Sequence, residues 1–578
     1  MAPKNKSSRA TGAPEGFTPQ RFERELKDLA AKAKEDTWTR RATAQASLYL
    51  QTVLVLGLLG IASSASQLSL SPVYGSIPAA VTHAPVIMAG CFVGWAGNLF
   101  LRSALPLPTA QLLPVIALNV PAVQFFLGGF SERLGSWWGP LVTEGLTLFP
   151  LAVISAACVA DYLEDADLSM LPKFVADAAP GIGSWGLFRL AERIAGARLQ
   201  GLVGSAFVFT RVGLELVLAA IYVVFSPSKY LVLAIPALLH TAVLNTHVMT
   251  PMATASLNST LSAQNWTLLE RKESLTGYVS VLDNLDKGFR VMRCDHSLLG
   301  GEWIMLQGKK VSEPIYGVFV MLEAVRLINR ETPLPDNEAS ALVVGLGIGT
   351  TPSALVSHGI DTTVVEIDPV VHEFAQKYFD LHENNPPAIA DAVSYTANLV
   401  NEAKSYDYIV HDVFTGGAEP VDLFTLEFLQ GLGALLKPDG VIAINYAGDF
   451  SLPAPQMIYR TIKQVFPSCR IFRESPREEA NVEKWGSDFT NMVIFCRKTA
   501  GDITFRRPVP SDFLRSRARQ AFLAPQHEVR EQEFLDGEDT DILTRNRTGK
   551  VTKWHQKSAA GHWKIMRSVL PDKIWEQW

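Results

Sequence analysis

What most constrains the fold of this chain is a succession of six long apolar stretches in its first half, at about residues 44–61, 80–100, 110–130, 138–160, 202–225 and 231–248. Each approaches the roughly 20 residues that a helix needs to cross a bilayer. One such stretch fits a buried core helix just as well, but six in a row predict an α-helical membrane bundle over residues 43–249 with the lipid bilayer as its partner. Hydrophobic residues make up 48% of the 578 positions, and that weight is concentrated in this region. Beyond residue 249 the composition is that of an ordinary globular domain, so the length divides into more than one unit.

Charge sets the expected sidedness. Lys27, Lys32, Lys34, Arg40 and Arg41 precede the first apolar stretch, whereas residues 62–79 carry no charge. Cytosolic segments hold the Lys/Arg excess, so residues 1–42 read as a cytosolic tail. The acids Glu23, Glu25 and Asp28 argue against a mitochondrial leader, and no early apolar core marks a secretory signal. Six spans return the chain to its starting side, and the intervening loop 161–200 carries Lys173, Arg189, Arg193 and Arg198 as an inside loop should. The expectation is a multi-pass protein with both termini cytosolic. Arg211 and Glu215, one helical turn apart, are expected to pair. A net charge of −5 offers no nucleic-acid footprint. The five cysteines, Cys91, Cys158, Cys294, Cys469 and Cys496, show no CxxC or His-paired spacing, which predicts neither a disulfide framework nor a metal site.

Residues 264–500 change character. Short alternating runs such as Tyr278-Val279-Ser280-Val281-Leu282 predict a small β-region. Strand and helix then alternate as in a Rossmann-like α/β fold. Ala341-Leu342-Val343-Val344 reads as a buried parallel strand running into Gly345-Leu346-Gly347-Ile348-Gly349-Thr350-Thr351-Pro352. Three alternate glycines permit a tight turn and close approach of a nucleoside to the backbone. The next strand ends at Glu366, about 20 residues on, where such folds bind ribose hydroxyls. The loop is GxGxG rather than GxGxxG and shows no diphosphate cradle, which favours an adenosyl sulfonium compound over a dinucleotide. A third strand, Tyr406 onward, ends at Asp412, and a carboxylate at that strand edge lies where substrate binds. Residues 501–578 read as a C-terminal extension whose basic, aromatic end is solvated or packed on the domain.

The order of Leu268-Glu270-Arg271, Tyr316, the glycine loop, Glu366-Ile367-Asp368, Asp412 and Leu423-Phe424-Thr425-Leu426-Glu427-Phe428 resembles the spermidine synthase family, across roughly residues 265–498. Lys437-Pro438-Asp439-Gly440 followed by a strand is similar to the class I methyltransferase sheet. The resemblance implies that Gly345, Gly347 and Gly349 line the nucleoside, that Glu366 and Asp368 hold the ribose side, and that Asn398 reads the adenine. It makes Asp412 the catalytic carboxylate and Tyr316 the residue that places the attacking amine. It also implies decarboxylated S-adenosylmethionine or S-adenosylmethionine as co-substrate, a small amine or polyamine as acceptor, and a homodimer. The chain departs from the family where a second acid is expected, since Val413-Phe414 follows Asp412, and near Tyr316, where Ser312-Glu313-Pro314 stands. The leading expectation is therefore aminopropyl transfer. Methyl transfer, or a membrane carrier or sensor with a non-catalytic nucleoside-binding domain, are the alternatives.

Overall fold

The computed structural model describes residues 23, 26, 27 and 38–578, except 170, 307–310, 415–418 and 537–540 and the side chains of 481 and 485. The expected tail over residues 1–42 lies almost wholly outside this set. The main helices of the first half are α1 (Trp38–Tyr74), α2 (Ser76–Ala96), α3 (Leu113–Gly128), α4 (Ser131–Leu146), α5 (Leu148–Glu164), α6 (Lys173–Leu202), α7 (Arg211–Phe225) and α8 (Ile235–Val243). By length and composition, four segments among the described residues are long and apolar enough to cross a membrane: Trp38–Tyr74, Ser76–Ala96, Thr109–Gly128 and Ser131–Glu164. Small residues bring the backbones close. A Cβ on Gly94 would lie 2.1 Å from the Val153 carbonyl oxygen, and one on Gly60 would lie 2.8 Å from the Glu192 nitrogen.

Contacts at the two ends of the bundle give the direction of α1, α2, α3, the α4–α5 pair and α7, and Gln200 near the end of α6 bonds the Leu275 carbonyl of the second half. At one end Gln45 bonds the Asp165 carbonyl, Arg102 pairs with Glu164 at 2.8 Å, and Ser226 bonds the Ala110 carbonyl. At the other end Arg293 reaches the Pro72 carbonyl, Arg567 bonds Ser131, and Arg211 pairs with Glu273. With α4 and α5 forming one pass broken at Thr147, the chain makes seven passes and not six. The difference is α6. The expected loop 161–200 is mostly this 30-residue helix, whose arginines hid its length from a search for apolar runs. Seven passes put the start of α1 and the second half of the chain at opposite ends of the bundle.

Two further expectations fail here. Arg211 does not pair with Glu215 but with Glu273 at 3.1 Å and Asp295 at 3.5 Å, across the boundary between the two halves. Cys469 and Cys496 form a disulfide between adjacent antiparallel strands, where they stand directly opposite each other. A separation of 27 residues carries no sequence signature of that pairing.

The second half opens with an antiparallel sheet of β1 (Trp266–Glu273), β2 (Tyr278–Asn284), β3 (Phe289–Cys294) and β4 (Ser297–Trp303). The main sheet contains β5 (Ser340–Val344), β6 (Asp361–Glu366), β7 (Ala388–Ile389), β8 (Tyr406–His411), β9 (Leu436–Asp449), β10 (Ser468–Arg473), β11 (Phe489–Arg497) and β12 (His527–Val529). Their order is β12-β10-β11-β9-β8-β5-β6-β7. Strands β7, β6, β5, β8 and β9 run parallel and β11 is reversed, which is the class I methyltransferase arrangement with one added edge strand. The chain order reverses direction at β5, so the open crevice lies beyond the carboxyl ends of β5 and β8. Apolar cores fill both faces, with Val343, Phe374 and Phe495 on one and Leu342, Ile444 and Ile458 on the other.

The C-terminal segment is not an appendage. Strand β12 extends the sheet, and Arg519 makes two 2.9 Å bonds to the buried carboxylate of Glu323 while its third nitrogen bonds the Ser312 carbonyl. A last long helix, α9 (Gly549–Val569), packs on β4, β9 and β11 and reaches back to the bundle, where Trp563 bonds the Val73 carbonyl.

Candidate active site

The crevice is built on three left-handed glycines, Gly345 (φ +90°), Gly347 (φ +55°) and Gly349 (φ +82°). A side chain at Gly345 would place its Cβ 2.0 Å from the Asp412 carbonyl oxygen, so two neighbouring strand ends touch there through bare backbone. At Gly347 the same atom would meet the Leu299 carbonyl at 2.6 Å, because β4 of the small sheet crosses above the turn. The turn expected from sequence is thus present, and it is roofed by the β-region.

Glu366 ends β6 beside this turn. Its two carboxylate oxygens accept the Leu346 and Asp368 backbone N–H groups at 3.0 and 2.9 Å. Burial nonetheless raises its pKa to about 7, since those bonds only partly offset desolvation. A carboxylate so placed has room for further hydrogen-bond donors.

Asp368 and Asn398 stand elsewhere than expected. Asp368 is fully buried and its oxygens are taken by Ser274, Thr276 and the backbone N–H groups of Val370 and Val371. It caps the helix Pro369–Tyr378 and ties it to the β1–β2 turn, leaving nothing for a ligand. Asn398 is exposed in the second turn of the helix Ala392–Asn401. Asp391, the second residue after β7, N-caps that same helix, its carboxylate accepting the Val393 and Ser394 N–H groups.

Asp412 follows β8, its backbone N–H bonded to the Val344 carbonyl at 2.8 Å. Its Oδ1 accepts from Asn445 Nδ2 on β9 at 2.8 Å, and burial raises its pKa to about 6. Asn445 is 4% exposed and its own Oδ1 has no partner among the described residues. Sequence reasoning named the strand that carries Asn445 but not the residue. Together Asp412 and Asn445 offer two acceptor oxygens to a nitrogen that arrives with its N–H bonds. Tyr316 caps the short helix Gly317–Leu322 and stacks edge-on with Phe319 at 6.1 Å, its phenol pushed up by burial. Residues 415–418 of the loop after Asp412 lie outside the described set. On its near side Phe414 meets His562 of α9 at 5.2 Å, and on its far side Glu419 faces His555 of the same helix at 3.5 Å. Glu313, where the family resemblance puts an acid, is buried and accepts the Ala518 N–H, so it does not face the crevice.

A parallel sheet with this strand order, a glycine turn a Cβ would fill and a carboxylate on each neighbouring strand end fit an S-adenosylmethionine-dependent transferase of the class I fold. Comparison with known proteins gives the particular relatives. The spermine/spermidine synthase domain matches residues 322–473. The N-terminal histidine N-methyltransferase of Emericella nidulans is 47% identical over 529 residues, covering 88% of this chain and 94% of that protein. A polyamine aminopropyltransferase of Vibrio vulnificus is 28% identical over 234 residues, covering 38% of this chain and 73% of that protein. Among solved structures, a probable spermidine synthase from Corynebacterium glutamicum aligns at TM-score 0.33 and 16% identity, over 50% of this chain and 94% of that one. The chain belongs to the family of the Emericella nidulans methyltransferase; it is an enzyme, with S-adenosylmethionine as its co-substrate.

Proposed function

We propose that this enzyme transfers a methyl group to the N-terminal histidine of a polypeptide. The observation that carries this reading is the 47% identity to the Emericella nidulans enzyme, which runs through both the helical half and the transferase half. The aminopropyltransferase relative aligns with only 38% of the chain. Polyamine transfer, the leading expectation from sequence, also lacks its residues here. Val413 and Phe414 occupy the place of a second acid, and Glu313 is spent on backbone.

When bound, S-adenosylmethionine supplies a methyl carbon on a positively charged sulfur. The remaining work falls to the chain. Glu366 and the glycine turn hold the nucleoside. Asp412, with one oxygen fixed by Asn445, accepts the N–H of the incoming nitrogen, keeps its lone pair directed outward and takes its proton as the N–C bond forms.

The test is the purified full chain incubated with S-adenosylmethionine and a peptide beginning with histidine. One added methyl on residue 1, absent when the histidine is moved to position 2, is the expected product by mass spectrometry. An aminopropyl adduct on putrescine from the decarboxylated donor, with no peptide methylation, would overturn the reading.

We also propose that the bundle crosses a membrane with the catalytic half on the non-cytosolic side. Seven passes separate that half from the basic start of α1, and Arg40, Arg41, Arg102, Lys173 and Lys229 cluster at the α1 end. The connections at the catalytic end, Gly75, 129–130 and 203–210, carry no Lys or Arg, although Arg133 and Arg198 lie near it. The Cys469–Cys496 disulfide suits an oxidising compartment. This replaces the cytosolic placement expected from an even number of spans. Protease digestion of sealed microsomes checks it: the catalytic half stays protected under the proposal and is degraded if it faces the cytosol.

A further inference from the structure

The helix α9 stands apart in charge from a chain whose net charge is −5. Over its 21 residues it carries Lys550, Lys553, Lys557, Lys564 and Arg567 and no Asp or Glu. At 3.6 residues per turn the four lysines fall within a sector of about 60°, and all four are exposed. Among the described residues Lys550 pairs with Asp541, whereas Lys553, Lys557 and Lys564 meet no acid. Lys553 and Lys557 lie over the Trp554 ring at 5.1 and 5.8 Å. The solvated face of an ordinary surface helix interleaves acids with bases so that they pair one turn apart. On α9 like charges stand at that spacing instead, which costs stability, and an acidic partner removes the cost.

The contacts of α9 fix where this stripe points. Trp563 and Arg567 bond the bundle at Val73 and Ser131, on a side of the helix about a quarter turn from the lysines. Val551 packs in the core beneath the sheet and His562 against Phe489 of β11, on a third side. The lysines occupy what remains, turned to the aqueous side and away from the bundle, where a polypeptide reaches them more readily than a layer of headgroups. The same helix borders the crevice, since Phe414, two residues past Asp412, meets His562 at 5.2 Å. With the helix about 10–12 Å thick and an extended chain advancing roughly 3.3 Å per residue, a polypeptide whose first residue lies at Asp412 reaches the stripe after about seven residues.

We propose that Lys553, Lys557 and Lys564 form a docking strip for an acidic stretch of the polypeptide acceptor, engaged beyond the residues that enter the crevice. This rests on the reading of the acceptor as a polypeptide N-terminus and adds a selection among such polypeptides by charge. Exposed cations at the rim of a site act on encounter and retention, so the strip lowers KM for acidic acceptors and leaves the chemistry at Asp412 unchanged.

The experiment is steady-state methylation by the full chain in phosphatidylcholine nanodiscs, using two peptides that begin with histidine and share their first half. One is rich in Asp and Glu in its second half, and the other has Asn and Gln at the same positions. At low salt the acidic peptide should show a KM roughly three- to tenfold lower at equal kcat, an advantage that high salt erases. The combined variant Lys553→Gln, Lys557→Gln and Lys564→Gln should lose the advantage while methylating the neutral peptide as the wild type does and binding S-adenosylmethionine with unchanged affinity. Equal KM values for the two peptides in the wild type, or a preference that survives in the variant, would overturn the strip and leave the acceptor reading intact. If neither peptide is methylated, the acceptor reading falls and the strip with it. A variant altered only in its response to phosphatidylserine in the disc would assign the lysines to lipid and refute the proposal.

Discussion

Replacing Asn445 with Leu tests the assignment of Asp412 as the proton acceptor. Burial holds the Asp412 pKa at about 6, and the Asn445 amide is the one side-chain hydrogen bond that opposes this rise. A hydrogen bond to a charged group contributes about 1.5–3 kcal/mol, and about 1.4 kcal/mol corresponds to one pKa unit, so its loss moves Asp412 up by roughly 1 to 2 units. At pH 7 the wild-type carboxylate is about nine-tenths ionised, and in the variant between about one half and one tenth is ionised. Because the ionised form is the base, the rate falls roughly two- to tenfold at pH 7 and recovers near pH 9. The assay is kcat/KM for peptide methylation from pH 5 to pH 9, with donor affinity measured by calorimetry in parallel. The ascending limb should move from about 6 in the wild type to roughly 7–8 in the variant, with donor affinity unchanged. A limb that stays put while the rate falls uniformly would refute the reasoning and make Asn445 a packing residue.

Three other outcomes follow from the same geometry. Glu366, with its pKa raised to about 7, is largely neutral below that pH, and hydroxyl donors bind its ionised form; affinity for S-adenosylmethionine should therefore strengthen as pH rises from 6 to 8, a dependence that Glu366→Gln flattens in calorimetry. Gly345→Ala forces a Cβ to 2.0 Å from the Asp412 carbonyl at a φ of +90°, and is expected to abolish donor binding and lower Tm in a thermal melt. Arg519→Leu leaves the buried Glu323 carboxylate unpaired at a cost of about 3–5 kcal/mol, seen as a large drop in Tm, whereas replacing Arg519 and Glu323 together with apolar residues should recover most of it.

Much of the second half was legible in the linear order of residues. A glycine turn after a buried strand, a carboxylate at the end of the next and Asp412 at the end of a third are local signals, because the physical demands they meet, positive φ and a free strand edge, are local too. Asp368 and Asn398 were misplaced for the complementary reason. Asp368 sits in motif order, yet the β1–β2 turn folds onto it and takes its oxygens. Asn398 lies on a helix whose preceding strand, Ala388–Ile389, is two residues long and too short to show a period in the sequence.

By itself the sequence determined that the first half is apolar and helical, that the second half is an α/β transferase, and which side of the bundle is basic. It did so because burial, turn geometry and the positive bias of loops act through residue type at short range. Tertiary structure alone decided the rest. The pass formed by α6 set the parity of the bundle, since arginines on a helix do not reveal whether neighbours cover them. Pairing across distance made the Cys469–Cys496 bond, took Arg211 from Glu215 to Glu273, and set Asn445 against Asp412. Each of these joins residues that only the packing of separate elements brings within bonding distance, and on them rest the proposed sidedness and the proposed base.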